Sequence, residues 1–91
     1  MSQFIWDPFK EIENILKHGV DFKVAQLAFE DPHRRITHDA RHSRKEDRFF
    51  CAGKVGDKIL TVRFTYRENQ IRIIGAGYWR KGKVLYEKKK D

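Results

Sequence analysis

The sequence lacks several features that would place it in particular classes of protein. Its 91 residues contain a single cysteine, Cys51, so no disulfide can form within the chain, and this is typical of a reducing cytoplasm. No apolar run approaches the roughly 20 residues needed to cross a membrane. The N-terminal residues lack the basic region and apolar core of a secretory signal. We therefore expect a cytoplasmic protein that is not inserted in a membrane.

Acidic residues are scarce relative to basic ones. Thirteen Asp and Glu side chains stand against 20 Lys and Arg side chains, which gives a net charge of +7. On so small a chain, this excess favours a polyanionic partner such as nucleic acid, an acidic protein or a membrane surface, without choosing among them. The length suits one domain over residues 1–91 with one hydrophobic core. A hydrophobic fraction of 40% argues against disorder.

The clearest structural pattern is a hairpin within residues 59–77. From Leu60 to Tyr66 every second residue is apolar, which is typical of a half-buried strand. Glu68 and Asn69 supply turn chemistry, and a β-branched run returns from Ile71. The predicted cross-strand pairs are Tyr66 with Ile71, Thr65 with Arg72 and Phe64 with Ile73. This register makes one face of the hairpin apolar, and we expect Val62, Phe64 and Ile73 to be buried.

The opposite face of the hairpin carries arginine side chains. Arg63, Arg67 and Arg72 lie within cross-strand or diagonal reach of one another. Their guanidinium groups repel each other, while each presents a planar fork that suits phosphate oxygens. Two interpretations stay open at this point, a solvated sheet face and a phosphate-binding surface.

Two helices are predicted before the hairpin, after a short edge strand at residues 4–6. Asp7 and Pro8 suit the start of the first helix, and Gly19 suits its end. Asp21 suits the start of the second helix, and Asp31 with the following proline ends it. The predicted buried stripe of the first helix is Phe9, Ile12 and Leu16. The predicted inner face of the second helix is Phe22, Ala25, Ala28 and Phe29.

The segment from His33 to Arg48 is strongly polar. We predict a short strand near Ile36–Asp39 and then a solvated loop, followed by a strand from Phe49 to Val55. The spacing of His38, Asp39 and His42 suits metal ligands on a helix, but nothing else in the segment indicates a helix. We therefore predict no metal site here.

The C-terminal segment leaves two structures open. Tyr78, Leu85 and Tyr86 fit one face of a helix, whereas a turn at Lys81-Gly82 would lead into a final strand. Residues 88–90 form a basic tail. The fold class predicted is α+β, with two N-terminal helices packed on one face of a twisted antiparallel sheet and a C-terminal helix. That arrangement would leave the other face of the sheet open to a ligand.

Many residues, taken in order, resemble the BrnT family, the ribonuclease toxins of bacterial type II toxin–antitoxin pairs. The resemblance covers nearly the whole chain. The matching residues are Phe4, Trp6, Asp7, Lys10, Asn14, Lys17, His18, Gly19, Val20, Phe22, Ala25, Phe29, His42, Ser43, Glu46, Arg48, Gly53, Phe64, Thr65, Arg67, Ile71, Arg72, Ile73 and Ile74. The resemblance implies a RelE-like toxin domain, RNA cleavage without a metal or other cofactor, and a ribbon-helix-helix antitoxin similar to BrnA. Operator DNA would be contacted only through that antitoxin.

One stretch departs from the family pattern. The family commonly has Ser-Ala-Arg where this chain has Gly75-Ala76-Gly77, so one arginine is missing. The acidic residue usual in the last helix is also absent, and Gly82 lies near its place. Arg80 or Lys81 are the candidates to replace the lost charge.

Metal-free RNA cleavage needs a base for the 2′-OH, cations for the crowded phosphorane and an acid for the leaving 5′-oxygen. The candidate catalytic residues are Arg67, Arg72 and Arg48 for phosphate stabilisation, and Glu46 and His18 for proton transfer. The candidate RNA-binding residues are Lys17, Arg63, Trp79, Arg80 and Lys81. Two alternatives stay open, that Glu46 only pairs with Arg48 and that His18 only caps a helix.

Three functions are therefore considered. The first is an endoribonuclease toxin held in check by an antitoxin, which we expect to cover Arg67 and Arg72. The second is a basic nucleic-acid-binding module without catalysis, and the third is a degenerate toxin that still binds its antitoxin. Gly77 favours the second and third, whereas Arg67, Arg72 and the Lys17-His18-Gly19 stretch favour the first.

Overall fold

The computed structural model describes residues 3–88, so residues 89 and 90 of the predicted basic tail lie outside the described residues. Two short 3-10 turns, Ala28–Glu30 and Ala40–His42, follow α2 and β2. The other elements are β1 (Phe4–Trp6), α1 (Pro8–His18), α2 (Phe22–Leu27), β2 (Arg35–His38), β3 (Arg48–Val55), β4 (Lys58–Arg67), β5 (Gln70–Gly77) and α3 (Arg80–Glu87). None of the described helices is long and apolar enough to span a membrane.

The strands form one five-stranded sheet in the order β1-β5-β4-β3-β2. β2, β3, β4 and β5 pair antiparallel, as predicted, but β1 runs parallel to β5. The prediction of a wholly antiparallel sheet is therefore wrong, and the α+β domain has a mixed sheet. β1 and β5 are far apart in sequence, so no hairpin turn fixes their relative direction.

The β4–β5 hairpin has the predicted register. The observed pairs include Tyr66 with Ile71, Thr65 with Arg72 and Phe64 with Ile73. Glu68 and Asn69 have φ values of 51° and 67°, as a tight two-residue hairpin turn requires. Further along, Arg63 pairs with Gly75, so Ile74 is an extra residue in β5. This bulge changes which side chains of β5 share a face with Arg63.

The hydrophobic core lies between the sheet and the segment that contains α2. Val62 and Phe64 are 0% exposed and Ile73 is 1% exposed, as predicted. The other core residues are Val20, Phe22, Ala25, Ala28, Cys51, Leu60 and Ala76. Burial raises the pKa of the Cys51 thiol to about 12. A Cβ at Gly53 would lie 2.1 Å from the carbonyl oxygen of Ala28, so glycine allows β3 to approach the end of the helical segment closely.

The predicted buried stripe of α1 is wrong. Phe9, Ile12 and Leu16 are 77%, 54% and 82% exposed, whereas Asn14 is 6% exposed. Helical periodicity identifies an apolar stripe but does not say which way the stripe faces. In this protein, polar contacts decide the rotation of the helix.

Asn14 attaches α1 to the edge of the sheet. Its Nδ2 donates hydrogen bonds to the carbonyl oxygens of Val20 and Ala76, at 2.9 and 2.8 Å, and its Oδ1 accepts one from the N–H of Ala76 at 3.1 Å. The last β1 pair is Trp6 with Ile73, so β1 does not extend along β5 as far as Ala76. The Asn14 amide therefore takes the place of a neighbouring strand.

The second face of the sheet is covered in part, contrary to the prediction that it stays open. The C-terminal segment is a helix, α3, which packs across β3 and β4, so the turn at Lys81-Gly82 is not formed. A Cβ at Gly82 would lie 1.6 Å from Thr61 Oγ1, so α3 rests directly on the sheet, and Thr61 is 0% exposed. Helices thus lie on both faces. Strand alternation defines two faces but does not reveal which polar face a distant helix will cover.

Candidate functional site

One open pocket, called the basic pocket below, gathers side chains from α1, three strands and the segment before α3. Its volume is about 180 Å³. The predicted site residues that line it are Lys17, His18, Arg48, Arg63 and Trp79. The other lining residues are Lys10, Glu13, Asn14, Ile74 and Gly75. Four cationic side chains and one carboxylate thus surround a site at the edge of β5.

The ends of α1 determine where Lys17 and His18 lie. Asp7 Oδ1 accepts a hydrogen bond from the N–H of Phe9 at 2.9 Å, which caps the start of the helix. Gly19, at φ 69°, ends the helix directly after His18, as predicted. His18 therefore stands at the C-terminal end of α1. Its ring meets the Trp79 ring edge to face, with the ring centroids 5.2 Å apart.

Arg48 is fixed by the polar loop that precedes it. Ser43 Oγ donates to the carbonyl oxygen of Asp39 at 2.6 Å and accepts from the N–H of Arg48 at 2.9 Å. Thr65 Oγ1 donates to the carbonyl oxygen of Asp47 at 2.6 Å, which ties the loop to β4. Ser43 and Thr65, which belong to the family pattern, thereby hold the main chain from which the Arg48 side chain enters the pocket.

The Nε of Arg48 is buried and has no hydrogen-bond partner within residues 3–88. A buried donor without an acceptor costs about 1–3 kcal/mol. The Arg48 side chain as a whole is 33% exposed and lines the basic pocket, so an anionic ligand bound there would meet its exposed part rather than the buried Nε.

Glu46 lies between two arginines. Its carboxylate is 3.5 Å from Nη2 of Arg48 and 3.2 Å from Nη2 of Arg67. Glu46 thus pairs with Arg48, and it pairs with Arg67 as well. Arg67 does not line the basic pocket, but Glu46 links it to Arg48, which does.

Arg72 also lies outside the basic pocket. It pairs with Thr65 of β4 on one side and with Ile5 of β1 on the other. The bulge at Ile74 separates Arg72 from the part of β5 that lines the pocket, because beyond it Gly75 is the residue opposite Arg63. The sequence pattern alone did not indicate this break.

Trp79 and Arg63 connect the basic pocket to a second pocket of about 290 Å³. Its lining residues are His42, Phe50, Arg63, Trp79 and Lys81. The ammonium group of Lys81 lies 4.3 Å from the centroid of the Phe50 ring. Arg63 and Trp79 line both pockets, so the two pockets adjoin each other. We call the surface formed by both pockets the basic groove.

A larger cavity of about 760 Å³ also has Trp79 in its lining. Of the predicted site residues it contains only Trp79 and Arg80, and its other cationic residues are Lys54, Lys58 and Lys83. The basic groove gathers most of the predicted site, so we take the groove rather than the larger cavity as the candidate site.

Sequence reasoning did not assign Lys10 or Glu13 to the site. Lys10 and Lys17 are seven positions apart on one helix, a spacing that puts both on the same face. Once Lys17 was a candidate, that spacing could have identified Lys10. Glu13 carried no comparable signal, because its position depends on the unpredicted rotation of α1.

The three residues with metal-ligand spacing are divided between two pairs. His38 Nε2 is 3.1 Å from Asp47, and His42 Nδ1 is 2.9 Å from Asp39. No group of three or more His, Cys, Asp or Glu side chains is arranged to hold a metal ion in the part of the chain that the structure describes.

The fold and the groove define a small, basic α+β protein whose site suits a phosphate-bearing ligand. A sequence model described as "Ribonuclease toxin, BrnT, of type II toxin-antitoxin system" matches residues 6–82. Since the match spans most of the chain, the chain belongs to the BrnT family of ribonuclease toxins, as the resemblance implied. Among curated proteins, none matches the sequence.

Proposed function

We propose that the protein is an endoribonuclease toxin that cleaves RNA in the basic groove without a metal ion or other cofactor. It acts in the cytoplasm as a single RelE-like domain over residues 1–91. A ribbon-helix-helix antitoxin similar to BrnA neutralises it and alone carries the pair to operator DNA. Family membership supports the ribonuclease class. The observation that carries the site assignment is the meeting of Lys17, Arg48 and Arg63 around His18 in one pocket.

The cations of the groove bind and stabilise the reacting phosphate. Arg48 contributes a partly exposed guanidinium, and Arg63 and Lys17 line the same pocket. Their positive charge stabilises the extra negative charge of the phosphorane that forms during cleavage. Arg67 and Arg72, which lie outside the pocket, contact neighbouring phosphates of the RNA.

His18 is the proton-transfer group that lies within the pocket. Imidazole can both accept and donate a proton near neutral pH. Removal of the 2′-OH proton lets the 2′-oxygen attack the adjacent phosphorus, and the bond from phosphorus to the 5′-oxygen breaks as that oxygen is protonated. The products are a 2′,3′-cyclic phosphate and a 5′-hydroxyl. Glu46, held between Arg48 and Arg67, positions these two guanidinium groups.

Trp79 provides a surface on which a base adjacent to the scissile phosphate stacks. Its ring lines both parts of the basic groove and contacts His18. Base–aromatic stacking contributes about 1–3 kcal/mol and tolerates different bases. Arg80 and Lys81, at the start of α3, extend the positive surface beyond it.

The test is RNA cleavage by the purified protein in excess EDTA. We expect cleavage to persist and to leave 2′,3′-cyclic phosphate and 5′-hydroxyl ends. Arg48→Ala should lower the cleavage rate by about 10²–10³, the usual effect of losing one preorganised donor at a developing charge. Arg34→Ala is the control, because Arg34 is an exposed arginine that lines neither pocket of the groove.

Gly77 favours a second candidate, a basic nucleic-acid-binding module without catalysis. The family commonly has an arginine here, and in this chain the Trp79 ring occupies the space beside Gly77. If a folded protein binds RNA with strong salt dependence but leaves it intact, this second function replaces the first.

A further inference from the structure

The exposed side of α1 is apolar. Phe9, Ile12 and Leu16 are 77%, 54% and 82% exposed, and Ile15 beside them is 43% exposed. Spacings of three and four residues place these four side chains on one side of the helix. We call this surface the α1 apolar face. A contiguous apolar patch on a highly charged protein is typical of a protein-binding surface.

The rotation of α1 is held by polar contacts on its inner side. Asn14 makes three hydrogen bonds to Val20 and Ala76. Glu11 accepts from Trp6 Nε1 at 3.2 Å and from the N–H of Phe22 at 2.9 Å. Turning the apolar face inward would turn Asn14 and Glu11 outward and break all five bonds, and the buried backbone groups of Val20 and Ala76 would lose these partners. The protein therefore presents this face outward as a fixed feature.

The α1 apolar face adjoins the basic groove. Lys10, Glu13 and Lys17 line the basic pocket and occupy the side of α1 next to Phe9 and Leu16. A partner on the apolar face therefore lies beside the mouth of the pocket. This continuity connects docking on α1 with access to the site.

The charges around the face favour one kind of occupant. A second copy of this chain would bring another net charge of +7, and beside the face its Lys10 and Lys17 would outnumber the single carboxylate of Glu13, so the two copies would repel. A partner with acidic residues beside an apolar stripe would pair with the same lysines. An amphipathic helix with an acidic flank would match both the apolar stripe and the neighbouring lysines.

We propose that the α1 apolar face is the docking surface of the antitoxin. An acidic amphipathic helix of the antitoxin packs its apolar stripe on Phe9, Ile12 and Leu16, and its acidic flank pairs with Lys10 and Lys17 across the mouth of the basic pocket. Inhibition follows because RNA can no longer reach the pocket. This inference rests on the proposed function, and it places the antitoxin on α1 rather than on the Arg67 and Arg72 surface expected from the sequence.

The test uses the full-length protein and, as the probe, the small protein encoded beside its gene. The double variant Phe9→Gln/Leu16→Gln should weaken binding at least about 100-fold by calorimetry, because it removes two apolar anchors. Its Tm should stay unchanged, since both side chains are largely exposed. Val84→Gln is the matched control, because Val84 is 58% exposed, belongs to α3 and does not line the basic pocket. Lys10→Glu should weaken binding as well, and more at low salt than at high salt.

Three results would overturn the inference. One is unchanged affinity in the double variant with a large loss in Arg67→Glu, which would place the antitoxin on the arginine surface. Another is no binding of the probe by the wild-type protein. The third is a wild-type dimer in sedimentation that Phe9→Gln/Leu16→Gln converts to a monomer with full antitoxin affinity.

RNA cleavage measured in parallel separates this inference from the proposed function. A double variant that cleaves RNA normally and escapes inhibition by the probe supports both. If no form of the protein cleaves RNA, the proposed activity fails, while the binding results still decide where the partner docks.

Discussion

Gly77 lies directly beside Trp79, the aromatic residue that lines both pockets of the basic groove. A Cβ at position 77 would lie 2.4 Å from two atoms of the Trp79 ring, so the indole can pack against β5 only because residue 77 has no side chain. In this position Trp79 meets His18 and lines both pockets of the groove. Gly77 therefore allows an aromatic ring to lie beside the pocket.

The pair can be tested with Gly77→Ala. The added methyl should displace Trp79 and destabilise the protein by about 1–3 kcal/mol, the range found for overpacking. We expect a shift of tryptophan fluorescence and slower RNA cleavage, with little change in circular dichroism. Gly75→Ala is the control, because its Cβ would lie 3.4 Å from Asn14 Oδ1, a nearly ordinary contact. Equal effects of the two substitutions would show that Trp79 does not depend on Gly77.

At the scale of the element, the sequence pattern of α1 predicted where the helix begins and ends but not which side of it faces the sheet. The capping residues Asp7 and Gly19 and the apolar periodicity identified the helix and its ends. They did not reveal its rotation, because that depends on Asn14 and on carbonyl groups contributed by Val20 and Ala76. The same limit applies to the site, since Lys17 and His18 were predicted from their place on the helix and Glu13 was not.

Two alanine substitutions in α1 distinguish the observed rotation from the predicted one. Asn14→Ala leaves buried backbone groups of Val20 and Ala76 without partners and should lower the free energy of unfolding by about 3 kcal/mol. Leu16→Ala should change it by less than about 0.5 kcal/mol, because Leu16 is 82% exposed. Urea unfolding of both variants gives the comparison. The opposite order would mean that the apolar stripe is buried after all.

The attachment of α3 depends on Asp31 and should therefore vary with pH. Asp31 Oδ2 accepts from Tyr86 Oη at 2.5 Å and from the N–H of Lys54 at 2.7 Å, and Oδ1 accepts from the N–H of His33 at 2.8 Å. Burial opposes ionisation of Asp31, but these hydrogen bonds outweigh it and lower its pKa below 3.8. The hydrogen bond to Asp31 raises the pKa of Tyr86 above 10.0.

The sign of each shift defines the pH range in which Tyr86→Phe should lower Tm. Stability from ionised Asp31 is present above pH 3.8 and is lost as the pH falls through the lowered pKa. Stability from protonated Tyr86 is present below pH 10.0 and is lost as the pH rises through the raised pKa. The Tm difference between wild type and Tyr86→Phe should be largest near pH 7 and narrow towards both extremes. If the Tm difference between wild type and Tyr86→Phe did not change with pH, the hydrogen bond between Tyr86 and Asp31 would not be what attaches α3.

At the scale of the whole molecule, the groove is what remains of a sheet face that other elements largely cover. α3 packs across β3 and β4, and the polar loop before β3 is tied to Thr65. The sequence predicted the β4–β5 register and the arginine face, because both follow from local alternation. It could not show that α3 would cover Thr61 while Arg63 stayed accessible, since that depends on packing between segments far apart in the chain.

The net charge of +7 belongs to the whole protein, but the groove concentrates four cations, Lys10, Lys17, Arg48 and Arg63, around one pocket. If single-stranded RNA binds there, the logarithm of its affinity should fall with the logarithm of salt concentration with a slope of about −0.7 per neutralised phosphate. Arg63→Ala removes one groove cation and should make this slope shallower by about 0.7. Lys23→Ala changes the net charge equally from an exposed position on α2 and should leave the slope unchanged.

The measurement is a fluorescence-anisotropy titration at several salt concentrations, with a fully 2′-O-methylated RNA that cannot be cleaved through its 2′-hydroxyls. Binding is thereby separated from catalysis, so the result holds whether or not the protein is active. A shallower slope for Arg63→Ala alone means that RNA phosphates lie in the groove. Equal slopes for wild type and both variants would mean that the RNA binds elsewhere. If the slope became shallower by the same amount in both variants, RNA binding would depend only on the net charge of the protein. Either result would remove the basic groove as the site, because a local cluster of cations must contribute more to counterion release than a remote lysine does.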